Sequence, residues 1–207
     1  MTLFHVLEDG IPQGERMEDA LSPSAFSARI RAETLDTLVA EAAKHDPTAF
    51  AVLYERYYDR VYRYCYHRLG HTADAEDITG LIFMKALEAL PSYQSRSHGF
   101  APWLFRIARN AVIDQYRRRR SQGTLDELEQ QAGDSDPVQD VLGSEQREEL
   151  SYLLHHLSDD QREVVLMRYA ADLTFGEIAG IMNRNEPAVR MLLHRGLRKL
   201  KAVMDYD

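Results

Sequence analysis

Apolar residues recur along this chain at steps of three and four, the spacing that lines one face of an α-helix. Phe50, Leu53, Tyr54, Tyr57, Val61, Tyr64, Cys65 and Leu69 mark such a face over about five turns. Gly70 ends the run, and the acids of "HTADAED" suit the start of a second helix. That helix carries Ile78, Leu81, Ile82, Lys85, Ala86 and Ala89 and stops before Pro91. After the polar loop "SYQSRSHGF", a third helix starts near Phe100. It runs through Trp103, Leu104, Ile107, Ala108, Ala111 and Val112 into four consecutive arginines. A short helix is expected around 34–44, or a longer one that starts at the Pro23 turn. Strand-like alternation is absent, so the predicted fold class is all-α.

A second helical block lies further on. Ser158 with Gln161, and Thr174 with Glu177, each have capping-box spacing. They open "DQREVVLMRY" and "FGEIAGIM". A third segment, "EPAVRMLLHRGLRKLKAV", carries Pro187 in its first turn, where amides lack helical partners anyway. A shorter and a longer helix joined by the "NRN" turn have the outline of a helix-turn-helix. Ala179 is small where the two would cross. Ile178, Met182, Val189 and Leu193 could form the apolar wedge between them. A plain helical hairpin shares these features, and the basic end of the longer helix tilts the reading toward DNA.

Charge sharpens the division into parts. The 207 residues carry a net charge of −8, unevenly spread. Residues 1–33 hold six acids and three bases, and 34–120 hold ten acids and thirteen bases. Residues 121–145 hold seven acids and no base, and 146–207 hold ten acids and nine bases. Those blocks net −3, +3, −7 and −1, while 101–120 and 184–201 each net +5. Two compact basic stretches, each closing a helix, are thus separated by an acidic, turn-rich connector that reads as a flexible linker. No stretch approaches the roughly 18 to 20 apolar residues of a membrane span. The acidic N-terminus lacks signal-peptide layout, and one cysteine, Cys65, excludes an internal disulfide. A cytoplasmic protein without membrane insertion is the simplest expectation.

Catalytic chemistry finds no footing. There is no Gly-rich phosphate loop, no nucleophile–base pair in a recognisable setting and no two-metal carboxylate cluster. His67 and His71 are four apart but Gly70 breaks the helix between them, and the adjacent His155 and His156 face different ways. Neither an enzyme, a metal site nor a cofactor is expected.

Four stretches in order carry a resemblance: "AFAVLYERYYDRVYRYCYHRLG", "AEDITGLIFMKAL", "FAPWLFRIARNAVIDQYRRRR" and "LTFGEIAGIMNRNEPAVRMLLHRGLRKL". With the acidic linker between them, the chain resembles the sigma-70 family, specifically its two-domain extracytoplasmic-function (ECF) group. The resemblance implies region 2 over 34–120 and region 4 over 146–207. The linker at 121–145 would pass through polymerase channels as an anionic stand-in for RNA. Residues 1–33 lie outside the resemblance and read as a partly disordered extension. It implies binding to core RNA polymerase, recognition of double- and single-stranded promoter DNA with strand separation, and control by an anti-sigma factor.

The same resemblance assigns residues. Tyr93, Phe100 and the loop between them, with Asn110, would capture an unpaired base of the downstream element. An amide offers both donor and acceptor to a base edge. Arg106, Arg109, Arg117, Arg118, Arg119 and Arg120 would track phosphates, each contact adding salt-dependent affinity. Trp103 is read as core packing and Asp114 as the partner of a nearby arginine. For the upstream element the set is Glu186, Arg190, Met191, Arg195, Arg198 and Lys199. Met191 and Leu192 stand where the family usually has small polar and basic residues, favouring apolar contact such as thymine methyls. Asp77, Ile78, Leu81 and Phe83 fall in the segment that docks on core polymerase, with Gly80 and Leu81 in place of the family's usual Gln-Glu. The rival reading is a conventional helix-turn-helix regulator whose first domain senses a ligand or dimerises.

Overall fold

The computed structural model describes residues 23–94, 99–121 and 149–205. Regular structure among the described residues is entirely helical. Helix α1 (Pro23–Ala43) takes the longer of the two expected forms. A 3-10 turn (Pro47–Ala49), capped by Asp46, leads into α2 (Phe50–Leu69). Gly70 ends α2 at φ 73°, a left-handed conformation that costs a glycine little, and its amide donates to the Tyr66 carbonyl at 2.8 Å. Helix α3 (Thr72–Ala89) and a 3-10 turn (Leu90–Ser92) follow, then α4 (Phe100–Ser121).

These helices pack as a bundle in which α2 contacts α1, α3 and α4. The predicted face of α2 is buried, apart from Tyr54, which points outward. Asp36 of α1 is buried beneath α2, where it accepts from Tyr57 Oη at 2.6 Å and pairs with Arg56. A buried carboxylate needs such partners, so this pair fixes α1 on the bundle.

The second unit begins with a helix over 149–155 (α5), followed by α6 (Asp159–Tyr169), α7 (Phe175–Met182) and α8 (Glu186–Met204). Both expected capping boxes form, Ser158 with Gln161 and Thr174 with Glu177. Asn183 turns the chain at φ 53°, and Asn185 caps α8 by accepting from the Ala188 amide at 2.9 Å. Ile178, Ala179, Val189 and Leu193 are buried between α7 and α8, with Met182 packed beside them. The helix-turn-helix wedge is therefore present. Gly196 is buried where α8 faces α6, with Val165 and Gln161 opposite it.

Residues 1–22 and 122–148, hence most of the expected extension and linker, lie outside the described residues. No helix among the described residues is long and apolar enough to cross a membrane. None of their His, Cys, Asp and Glu side chains form a group of three that could hold a metal.

Candidate nucleic-acid interface

Helix α4 presents Arg106, Asn110 and Arg117 along one exposed stripe, four and seven residues apart. Asn110 thus stands in solvent between two cations. Arg117 has a side chain 78% exposed and lies 3.8 Å from Asp114, the acid expected to accompany an arginine. Arg118 is exposed, whereas Arg119 is half-buried against Asp74 of α3, with which it pairs. The Arg120 side chain lies outside the described residues.

Tyr93 and Phe100 sit elsewhere than their proposed role suggests. Each is only 1% exposed, and their rings meet at 5.8 Å between centroids. Trp103 closes the cluster at 5.1 Å from Tyr93 and 5.3 Å from Phe100, and Tyr57 meets Phe100 at 5.5 Å. Lys44 Nζ donates to the Tyr93 carbonyl at 2.6 Å and pins the turn to α1. Edge-to-face aromatic clusters gain by excluding water, so the two rings flanking a polar loop fold inward. In this conformation neither has surface for a base, and Trp103, expected in the core, keeps partial exposure. Loop residues 95–98 lie outside the described residues.

Helix α8 buries Val189, Leu193, Gly196, Leu197 and Leu200 and turns Met191, His194, Arg195, Arg198 and Lys199 to solvent. Glu186 opens the helix, 3.5 Å from Arg190. The Arg190 guanidinium lies 4.1 Å from the centre of the Phe175 ring, a cation–π contact that orients it along the face. Arg184, at the turn, pairs with Asp160 at 2.5 Å and ties the motif to α6.

On α3, Ile78 and Phe83 face inward, at 5% and 4% exposure, so the polymerase-docking roles expected of them cannot be direct contacts in this conformation. The helical period explains it: positions 75, 78, 79, 82, 83 and 86 share the inner face. Asp77 and Gly80 are exposed and Leu81 is half-buried. The same outer face continues through Met84 and Leu87, both exposed, which sequence reasoning missed. Extending the three- and four-residue steps from Asp77 would have found them.

Two family models match the chain, Sigma-70 region 2 over residues 53–122 and Sigma-70 region 4 over 147–200. It is 35% identical over 173 residues to the ECF RNA polymerase sigma factor BldN of Streptomyces coelicolor, covering 82% of this chain and 66% of that one. It is 30% identical over 182 residues to the ECF sigma factor SigD of Mycobacterium bovis, covering 84% and 86%. The chain belongs to the sigma-70 family, in its ECF group. It is a sigma factor, a subunit that directs RNA polymerase to promoters. Its fold is shared with CnrH, solved in complex with the cytosolic domain of CnrY, at a TM-score of 0.64 and 24% identity over 83% of this chain and 98% of that one.

In this sigma factor the two domains also touch each other, which sequence reasoning did not foresee. Helix α4 packs on α7 and α2 on α6. Glu163 of α6, buried, accepts from Tyr64 Oη of α2 at 2.6 Å. Arg68 Nη2 lies 3.6 Å and Arg109 Nε 3.8 Å from the same carboxylate. Arg60 donates to the carbonyls of Ala171 at 2.8 Å and Asp172 at 3.0 Å, and Arg106 Nη2 to that of Gly180 at 3.2 Å. Burial, reinforced by the Glu163 charge, pushes the Tyr64 hydroxyl well above its ordinary pKa. Burial is the largest single influence on Arg68 and works against its charge, but Glu163, Tyr64, Tyr116 and Asp159 together outweigh it and leave its pKa raised. A cleft of about 440 Å³ opens beside this contact, lined in part by Arg68, Arg109, Tyr116 and Glu163.

Proposed function

We propose that this sigma factor reads the downstream promoter element with α4 and the upstream element with α8, and starts strand separation at Asn110. The observation that carries the reading is the α4 stripe itself. An uncharged amide stands exposed between Arg106 and Arg117 on one face, inside the segment that matches region 2. Cations along such a stripe hold backbone, and an amide at its centre can meet the edge of an unstacked base. Tyr93 and Phe100 act in this reading by packing, holding the start of α4 and the loop before it in place.

On α8, Arg195 and Arg190 are the candidates for base edges, Met191 for thymine methyls, and Arg198 and Lys199 for phosphates. Glu186 positions Arg190. The outer face of α3, from Asp77 through Leu81 to Met84 and Leu87, is the candidate surface for core polymerase. The acidic segment 121–145 serves as the anionic connector through the enzyme. Such a protein works on chromosomal DNA in the cytoplasm, carries out no chemistry of its own, and is held in check by an anti-sigma factor.

In vitro transcription with core polymerase on a genomic promoter library tests the reading. Wild type is expected to yield defined start sites. Asn110→Ala is expected to bind core normally and to lose open-complex formation. No start site, or equal loss of polymerase binding and opening in Asn110→Ala, would refute it. Tight binding to duplex DNA without polymerase would instead favour the conventional regulator.

A further inference from the structure

We propose that the cleft where α2, α4 and α6 meet is a binding site for a small molecule carrying a phosphate monoester, held by Arg68, Arg109 and Arg162. The inference goes beyond the promoter reading and shares only Arg109 and Arg117 with it. The three arginines come from three different helices and line one concavity of about 440 Å³. Small-molecule sites fall in the range of about 300–1,000 Å³. An inorganic ion would leave most of this one to solvent.

Charge favours an anion there. Arg117 at the rim has Asp114 on its own helix, and Asp160 has Arg184 at 2.5 Å. With those pairs set aside, Arg68, Arg109 and Arg162 face Asp159 and Glu163, an excess of one positive charge. The donors are also short of acceptors. Arg68 is 9% exposed, and its Nε and Nη1 are buried without a hydrogen-bond partner among the described residues. Arg109 Nε is in the same state, 3.8 Å from Glu163 and beyond hydrogen-bond distance. Glu163 is itself engaged, since Tyr64 Oη donates to one of its oxygens at 2.6 Å. Buried donors left unmet are costly, so an acceptor brought into the cleft is favoured.

The guanidinium groups are held before any ligand arrives. Arg68 lies over the Tyr116 ring at 5.5 Å, and Tyr116 Oη donates to the Arg68 carbonyl. Arg162 Nε donates to the Leu154 carbonyl at 2.9 Å. Side chains fixed in advance spare the complex an ordering cost. A phosphate monoester suits three converging forks better than a carboxylate does, because it brings three strong acceptor oxygens and more negative charge. A backbone diester has only two unesterified oxygens and a single charge. Ile113 supplies an apolar wall for the carbon skeleton, and Asp159, exposed at the start of α6, accepts from its hydroxyls. Sugar phosphates and nucleotides share this chemistry.

Isothermal titration calorimetry on the full chain at constant ionic strength tests the site. The probes are ribose 5-phosphate, adenosine monophosphate, inorganic phosphate, and a thymidine dinucleotide that has a diester and no monoester. At least one of the two organic monoesters is expected to bind one-to-one, more tightly than inorganic phosphate or the dinucleotide. Which of them binds better separates a sugar phosphate from a nucleotide. Arg162→Ala, and Arg68→Lys, which keeps the charge but loses the fork, should each weaken that binding about tenfold or more. Ile113→Trp fills the cleft without removing charge and should weaken it as well. Urea melts show which variants fold, and Arg162→Ala and Ile113→Trp decide the matter where Arg68→Lys does not. No binding of either organic monoester would overturn the proposal. Equal affinity for inorganic phosphate would reduce the cleft to an adventitious ion site only and overturn it too. Equal affinity for the dinucleotide would assign the cleft to the nucleic-acid surface instead. Unchanged affinity in folded Arg162→Ala and Ile113→Trp would place the anion outside the cleft. None of these results bears on the transcription test, which judges the promoter reading by itself.

Discussion

The four-arginine run should divide when its members are removed separately. Arg117 and Arg118 are exposed near the end of α4, and among the described residues the nearest acid to Arg117 is Asp114, 3.8 Å away on its own helix. Arg119 is only 18% exposed and is tied across the bundle to Asp74. If exposure decides which guanidinium can meet a phosphate, Arg117→Ala with Arg118→Ala removes two contacts. On duplex DNA each contact contributes about 0.9 to the slope of log affinity on log salt, so the double variant should lose about 1.8. Between roughly 50 and 200 mM salt, wild-type affinity should then fall about twelvefold further than that of the double variant. Arg119→Ala should leave the slope unchanged and cost about 1 kcal/mol of stability at most, as a half-buried ion pair does. Fluorescence anisotropy on a mixed-sequence duplex, with urea melts alongside, measures both quantities. Equal slopes for wild type and the double variant, or a drop for Arg119→Ala as large as theirs, would refute the reasoning.

Two further outcomes concern stability. Gly80 lies in the interior of α3 with open space around it, so Gly80→Ala should stabilise the protein by about 1 kcal/mol in urea melts; destabilisation would show that the glycine is needed for packing. His67 is held down to about 4, first by burial and then by the Arg63 charge. Between that value and the ordinary pKa of about 6.5 the unfolded chain binds a proton that the folded one does not, so stability falls as pH drops through this window. The loss is bounded by roughly 3 kcal/mol and is smaller because the ring keeps some solvent contact. Urea midpoints at pH 7 and pH 5 should differ more for wild type than for His67→Gln.

The features that sequence made legible are those decided within a few residues. Gly70, the Ser158 and Thr174 capping boxes and the Phe100 start of α4 depend on local backbone geometry, which the residues themselves dictate. The inner face of α2 was equally plain, because seven of the eight positions that repeat one period are buried there. Which side of α3 faces outward was harder, because apolar residues occupy both faces: Ile78 and Phe83 are buried, while Met84 and Leu87 are exposed. The aromatic cluster was left open between base contact and packing for a related reason. Tyr93, Phe100 and Trp103 have similar chemistry, and only their placement against Lys44 and Tyr57 decides which ring is left near solvent. Glu163 was out of reach altogether, since its partner Tyr64 is 99 positions away in the other domain.

That distant contact changes what the positive charge of α4 means. Arg109 is half-buried beside Glu163 of the second domain and Arg106, though exposed, touches the Gly180 carbonyl, while Asn110, Arg117 and Arg118 are exposed. The end of the helix therefore faces solvent, and its middle lies beside the second domain. Each group would then contribute its own increment to the salt dependence. Removing Arg117 and Arg118 should lower the slope whether or not Glu163 is intact, whereas the effect of removing Arg109, whose Nε lies 3.8 Å from Glu163, should depend on that carboxylate. Contacts that share no partner add independently. A dependence of the Arg117 and Arg118 effect on Glu163 would mean that the run of four is itself part of the contact between the domains.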